Sequence, residues 1–297
     1  MDIPAHLGWW REVPGGQEWL ERLPGVVAQC AADWQLGLGS AMPGGNVSLV
    51  LAVQRQDGLP AVLKVNFPEP ESEHEAHALA LWDGRGAVRL LEHDPARRAL
   101  LLERCRPGTS LWEVRDETEA NDLACQVLRR LWRAPPADHA FRSLEAEAAR
   151  WAEELPRQWS ALGRPFERSL VERAVGTIRE LVATQDQLVV LHQDLHGGNV
   201  LRAERESWLA IDPKPLLGEP AFDAASLLRD RRAELRRDPA PAQRMRRRLD
   251  QLTRELDLDR ERLRGWGIVH ALAWGFSDEP AKVEEDMIAC ARWLAAA

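Results

Sequence analysis

The run His192-Gln193-Asp194-Leu195-His196-Gly197-Gly198-Asn199, followed by Ile211-Asp212-Pro213, constrains this chain more than any other stretch. It sets an Asp, an Asn five residues on, and a second Asp thirteen residues later. The apolar run 188–191 leads into it, and 200–201 and 208–211 follow as short strands, so the polar residues fall at strand ends. Transfer of a phosphoryl group from ATP to a hydroxyl needs such a set. One carboxylate, Asp194, orients the attacking hydroxyl or accepts its proton; an amide oxygen from Asn199 and a second carboxylate from Asp212 hold Mg²⁺ on the phosphates. A chance cluster of loop residues does not account for the whole ordered set. The sharper rival is a hydrolytic metal centre built from the alternating His192, Asp194 and His196. Gly197-Gly198 and the later Ile-Asp-Pro fit that rival poorly, and no third His-rich segment completes it.

With 297 residues the chain is long enough for one large domain or two lobes. Its formal charge of −8 argues against nucleic-acid binding by bulk electrostatics and is compatible with a cationic substrate. Cys30, Cys105, Cys125 and Cys290 form no CxxC pair and read as free thiols of a reducing compartment. No basic region followed by an apolar run opens the sequence, and no apolar stretch reaches membrane-spanning length, so a cytoplasmic protein with no membrane association is expected. Nothing in the sequence calls for an obligate protein partner.

The first part of the chain reads as an amphipathic helix up to residue 34, then as five short strands at 36–40, 47–53, 61–65, 88–91 and 99–102. Asp57-Gly58 marks a hairpin, and a helical stretch at 70–83 is inserted after the third strand. Residues 105–118 read as a linker. Beyond them helices are expected at 119–133, 142–162, 166–185, 221–235, 239–256, 259–276 and 279–296. The division is thus 1–104 as a sheet-bearing lobe, 105–118 as hinge, and 119–297 as a helical lobe carrying the 192–199 segment. The Arg-rich run 229–248 is interleaved with acids and reads as a solvated helical face.

The sheet is expected to supply the rest of a nucleotide site. Gly44, Gly45, Asn46 and Ser48 lie between the first two strands, where glycine lets the backbone approach phosphate oxygens. Lys64 stands in an apolar strand and needs a counter-charge. Glu75 shares a helix face with Leu79 and Trp82, so a Lys64–Glu75 pair is expected, with Lys64 reaching the phosphates. Glu103 to Cys105 end the last strand, where an adenine would meet backbone groups between lobes.

Taken together these segments resemble the aminoglycoside phosphotransferase family of antibiotic kinases. The carried motifs are the Lys64 strand, Glu75, Leu102-Glu103-Arg104-Cys105, the 192–199 segment, Ile211-Asp212-Pro213 and Asp223, and the resemblance covers nearly the whole chain. It implies an α+β, two-lobed protein-kinase-like fold, with a small antiparallel-sheet N-lobe holding one inserted helix and a mainly helical C-lobe. Residues 82–91 and 102–105 are similar to the branch of streptomycin 6-phosphotransferases and hydroxyurea kinases. That implies an ATP- and Mg²⁺-dependent kinase inactivating an aminoglycoside, with a kinase of another small hydroxylated compound such as hydroxyurea as the alternative. A nucleotide-binding pseudokinase is opposed by the complete Lys, Asp, Asn, Asp set. Gln193 and the short 212–219 stretch argue against a regulated protein kinase. A guanidinium-bearing substrate would need carboxylates. Asp278 and Glu279, after a helix presenting His270 and Trp274 on one face, are the candidates, with helix core and N-cap as their plainer roles.

Overall fold

The computed structural model describes residues 3–42, 45, 47–278 and 281–297, with the backbone alone at 277, 278 and 281. A 3₁₀ helix (Ala5–Glu12) and α1 (Gly16–Asp33) precede a five-stranded antiparallel sheet made of β1 (Gly37–Ala41), β2 (Ser48–Gln54), β3 (Pro60–Asn66), β4 (Leu90–Asp94) and β5 (Ala99–Glu103). The strand order is β1-β2-β3-β5-β4, and α2 (Glu75–Trp82) is inserted between β3 and β4. Alternation along β3 divides the two faces of the sheet. Ala61, Leu63 and Val65 join Leu20, Leu23, Val27 and Cys30 of α1 in one apolar core. Val62 and Lys64 therefore point the other way, and Lys64 is in register with Val50 and Leu100. The Asp57-Gly58 turn is present, with Gly58 at φ +81° and the Arg55 N–H donating to the Leu59 carbonyl at 2.9 Å.

The helical half holds α3 (Glu117–Leu131), α4 (Leu144–Ala161), α5 (Arg168–Ala183), α6 (Pro220–Leu228), α7 (Arg232–Arg237), α8 (Pro241–Leu256), α9 (Arg260–Ala273) and α10 (Glu285–Ala295). Short strands lie among them. β6 (Arg142–Ser143), β7 (Val189–Leu191) and β10 (Leu216–Gly218) form one sheet, and β8 (Val200–Arg202) pairs with β9 (Trp208–Ala210). The inserted helix belongs to the core of this half: Ala78, Leu79 and Trp82 are buried with Leu128 and Leu131 of α3, and the Trp82 indole donates to the Leu131 carbonyl at 2.7 Å. Backbone bonds from Val88 to Ala210 and from Ala210 to Gly86 stitch the sheet half to the β8–β9 hairpin.

Three expected helices are different. The 70–83 helix begins as a 3₁₀ turn (Pro70–Ser72), and α2 starts only at Glu75. The 221–235 helix breaks into α6 and α7, because Arg231 takes a left-handed conformation at φ +50°. The 279–296 helix starts only at Glu285: Gly275 packs against the Ala271 carbonyl and ends α9, and β11 (Phe276–Asp278) then pairs with β12 (Ala281–Val283). Among the described residues no helix is long and apolar enough to cross a membrane.

Candidate active site

β3 delivers Lys64 to the inner face of the sheet, where α2 sets Glu75 opposite it. The ammonium lies 2.7 Å from both Glu75 oxygens and 2.5 Å from Oδ1 of Asp212, and the Asn66 amide donates to Glu75 at 2.8 Å. Lys64 and Glu75 are almost fully buried. Burial disfavours the ammonium, but the Asp212 and Glu75 carboxylates outweigh it and raise its proton affinity above the ordinary value. Burial likewise opposes ionisation of Asp212, and Lys64 reverses the balance, so Asp212 stays a carboxylate.

The 192–199 loop is positioned almost wholly by backbone bonds. Asp223, buried in α6, accepts the N–H groups of His192 at 3.1 Å and Gln193 at 2.7 Å, with the Trp132 indole on the same carboxylate. Gln193 and Asp212 both adopt positive φ, +69° and +58°. His192 is fully buried; Nε2 meets the Ile211 carbonyl at 2.9 Å, and its own carbonyl accepts Lys214 N–H at 3.0 Å. The Ile211 N–H donates to the Asn199 carbonyl at 2.9 Å. These bonds bring Asp212 against Lys64 and Asn199 onto the same cavity, with Asp194 close enough for its charge to act on Asp212.

Asp194 has 17% of its side chain exposed and accepts Arg229 Nη2 at 2.7 Å on Oδ1. Burial would push its carboxyl up; Arg229, with smaller help from His196 and Lys214, prevails and holds it well below its ordinary value. His196 stands 3.8 Å from the other oxygen, with Nδ1 accepting the Gly198 N–H at 3.0 Å. His192 and His196 are thus engaged on different backbone groups. Among the described residues no group of three or more His, Cys, Asp or Glu side chains is arranged to hold a metal, so the hydrolytic centre considered above is not assembled.

The donors that are present fit Mg²⁺, which takes one or two protein oxygens and completes its shell with phosphate and water. The Asn199 amide nitrogen donates to the Asp194 carbonyl at 3.0 Å, which turns its oxygen the opposite way, and Asp212 supplies an ionised carboxylate. Both residues border a cavity of about 590 Å³ that runs between the sheet and the 192–199 loop. Gly45, Ser48, Val62, Lys64, Leu102, Glu103 and Cys105 line its other walls. A Cβ on Gly45 would come 2.6 Å from the Ser48 carbonyl, so the approach there requires glycine. The Glu103 carboxylate is turned aside, bound by Arg205 at 2.8 and 2.9 Å and by the Arg89 N–H. Burial pushes the Cys105 thiol up to about 12, so it lines the cavity as a neutral group.

On the other side of Asp194, Trp274 lies with its ring 4.8 Å from the Arg229 guanidinium. His270 is fully buried behind it, stacked on Trp274 at 4.6 Å and against Phe222 at 4.4 Å. Gly44, Asn46 and Glu279 lie outside the described residues, and for Asp278 only the strand backbone is described.

Four contributors escaped the sequence reading: Trp112, Arg229, Asp230 and Lys214. Trp112 stacks on His196 at 5.0 Å and lies flat over Gly197-Gly198, where a Cβ would meet the indole at 2.5 and 2.7 Å. Asp230 accepts both the Trp112 indole and the Gly197 N–H at 2.7 Å. The run 229–248 is not a uniformly solvated face, since Arg229 and Arg248 are buried at 6% and 2% exposure. The only local signal was Gly197-Gly198, which implies a close neighbour without naming it.

The family model described as "Aminoglycoside/hydroxyurea antibiotic resistance kinase" matches residues 33–278. The chain is 38% identical over 282 residues to streptomycin 6-kinase of Streptomyces glaucescens, covering 94% of this chain and 91% of that one. It is 38% identical over 288 residues to hydroxyurea phosphotransferase of Kitasatospora aureofaciens, covering 94% and 81%. Among solved structures, choline kinase LicA from Streptococcus pneumoniae superposes with a TM-score of 0.64 at 14% identity, over 93% of this chain and 100% of that one, which speaks for the protein-kinase-like fold alone. With a matched model over most of its length and relatives above one-third identity, the chain belongs to the aminoglycoside/hydroxyurea antibiotic resistance kinase family.

Proposed function

We propose that the protein is an ATP-dependent, Mg²⁺-requiring streptomycin 6-phosphotransferase that inactivates the antibiotic. The observation that supports this is the gathering of Lys64, Asn199 and Asp212 on one cavity, with Asp194 held beside them by the Asn199 amide, close enough for its charge to act on Asp212, and kept ionised. The phosphates would lie along Lys64, Gly45 and Ser48, and the adenine against the Leu102–Cys105 backbone. Asn199 and Asp212 would hold Mg²⁺, whose charge would offset that of the phosphates. Asp194 orients the acceptor hydroxyl. The hydroxyl oxygen of the acceptor forms the new O–P bond, the bond from the γ-phosphorus to the bridging oxygen breaks to release ADP, and the hydroxyl proton passes late to Asp194 and then to solvent. A carboxylate of such low proton affinity acts chiefly by positioning, which suits a loose transition state needing little early proton removal.

The substrate assignment rests on the streptomycin 6-kinase relative. Its guanidinium groups call for carboxylates, which we assign to Asp278 and Glu279, with Trp274 as a wall and His270 supporting it from behind. Hydroxyurea is the second reading, favoured by equal identity to the hydroxyurea phosphotransferase. An ADP-release assay with Mg·ATP against streptomycin, other aminoglycosides, hydroxyurea and simple amino sugars tests both. Streptomycin-dependent turnover with a product heavier by one phosphate supports the first reading. Turnover with hydroxyurea alone replaces it with the second, and ATP turnover with none of them ends the antibiotic assignment.

A further inference from the structure

Arg229 is the residue that follows α6, and its side chain is 7% exposed. Its guanidinium is held from two sides. In front, Nη2 donates to Oδ1 of Asp194 at 2.7 Å; behind, the Trp274 ring lies 4.8 Å away. Trp274 is itself fixed, stacked on His270 and edge-on to Trp151 at 5.1 Å. The backbone on either side of Arg229 is pinned by Arg248, which donates to the carbonyls of Leu228 at 3.0 Å and Asp230 at 2.6 Å. A planar carboxylate with one oxygen bound in this way has its second oxygen aimed in a fixed direction. That second oxygen, Oδ2, has His196 at 3.8 Å, and among the described residues no arginine hydrogen-bonds to it.

We propose that Arg229 is a positioning residue for phosphoryl transfer: backed by Trp274, it locks Oδ1 of Asp194 so that Oδ2 is the oxygen offered to the acceptor hydroxyl. This rests on the reading of Asp194 given above. Alignment of the hydroxyl with the γ-phosphorus is sensitive to displacements of an ångström, so loss of the lock acts on the transfer step and not on nucleotide binding.

The test is steady-state kinetics with whichever acceptor the wild-type protein phosphorylates, comparing Arg229→Ala, Arg229→Lys, Trp274→Leu and Asp194→Asn. Arg229→Ala is expected to lower kcat about 10- to 100-fold, with KM for ATP within about twofold of wild type. Arg229→Lys, which restores a single charged donor, recovers part of that loss, and so does millimolar guanidinium ion added to Arg229→Ala. Trp274→Leu keeps the arginine but removes its platform, and lowers kcat about 3- to 10-fold at unchanged KM for ATP. Wild-type kcat in Arg229→Ala overturns the proposal, as does a loss that neither lysine nor guanidinium reverses. Should Arg229→Ala fail to fold, an unchanged kcat in Trp274→Leu overturns it instead. Asp194→Asn separates the two levels: if it keeps wild-type turnover the reading of Asp194 fails, whereas an inactive Asp194→Asn beside a fully active Arg229→Ala sinks only the role of Arg229.

Discussion

Glu75 shares the Lys64 ammonium with Asp212, but of the two only Glu75 is fully buried with it, and Asn66 donates a further bond to its carboxylate. Removing Glu75 leaves the buried ammonium with Asp212 alone and strands the Asn66 amide. Glu75→Ala should therefore lower unfolding free energy by about 3 to 5 kcal/mol in urea titrations, and Glu75→Gln by less. A loss in Glu75→Ala below about 1 kcal/mol would contradict the pairing. The glycines of the 192–199 loop carry a second prediction. Gly198→Ala drives a methyl into the Trp112 indole and should cost about 1 to 3 kcal/mol, most of it recovered in a Trp112→Ala background. Equal costs in both backgrounds would show that the indole is not the obstacle. These residues also show how far the sequence reaches. Lys64, Glu75, Asp194, Asn199 and Asp212 could be picked out because each sits at a fixed place in a short strand, helix turn or loop, where period and burial restrict its role. Arg229 and Trp112 could not, since each acts across a gap of tens of residues that no local pattern encodes.

At the scale of elements, the strands and most helices followed from periodicity, because each buries one face. One of the failures has a cause in contacts between distant segments. The break between α6 and α7 is imposed by three consecutive residues that serve other segments. Arg229 reaches Asp194, Asp230 takes the Gly197 N–H, and Arg231 donates to the carbonyls of Leu111, Trp112 and Val114. Helical geometry would send these side chains to different faces, so the chain leaves the helix to satisfy them. Arg248 of α8 completes the arrangement by binding Glu117 and the carbonyls at the end of α6. Arg248→Met strands those acceptors and should destabilise the protein by about 3 kcal/mol or more. Its exposed neighbours behave differently: Arg246→Met and Arg247→Met should stay within about 0.5 kcal/mol of wild type. Chemical denaturation of the three variants side by side decides this, and an equally small loss in all three would restore the reading of a solvated face.

For the whole molecule, the two apolar cores and the cleft between sheet and helices leave many polar groups deep in the protein, and the histidines reveal the consequence. Five of the eight (His74, His93, His192, His196 and His270) have proton affinities lowered, with burial the leading cause in each. A histidine held below its unfolded value of about 6.5 stays neutral in the native protein while the unfolded chain takes up a proton. Its effect is therefore absent above about pH 6.5, and stability is lost as the pH falls from there toward the native value. Asp194 and Asp212 act in a separate, lower window. Nearby cations overcome the opposing effect of burial and depress them, so what they contribute is present above the ordinary carboxylate range and is lost as the pH falls through their native values. Below about pH 6.5 each such histidine adds a slope of up to about 1.4 kcal/mol per pH unit, opposed by Glu69, Glu75 and Asp223, whose carboxyls burial pushes up. His270 is the cleanest probe, being enclosed by Trp151, Phe222 and Trp274 with no hydrogen-bond partner on either ring nitrogen among the described residues. His270→Leu should flatten the curve: comparing urea unfolding at about pH 7.5 and about pH 5, the variant should lose less stability than wild type, by up to about 2 kcal/mol. Parallel losses in the two proteins would mean that His270 takes up its proton in the native state, and that the aromatic stack around it opens to let the charge reach water.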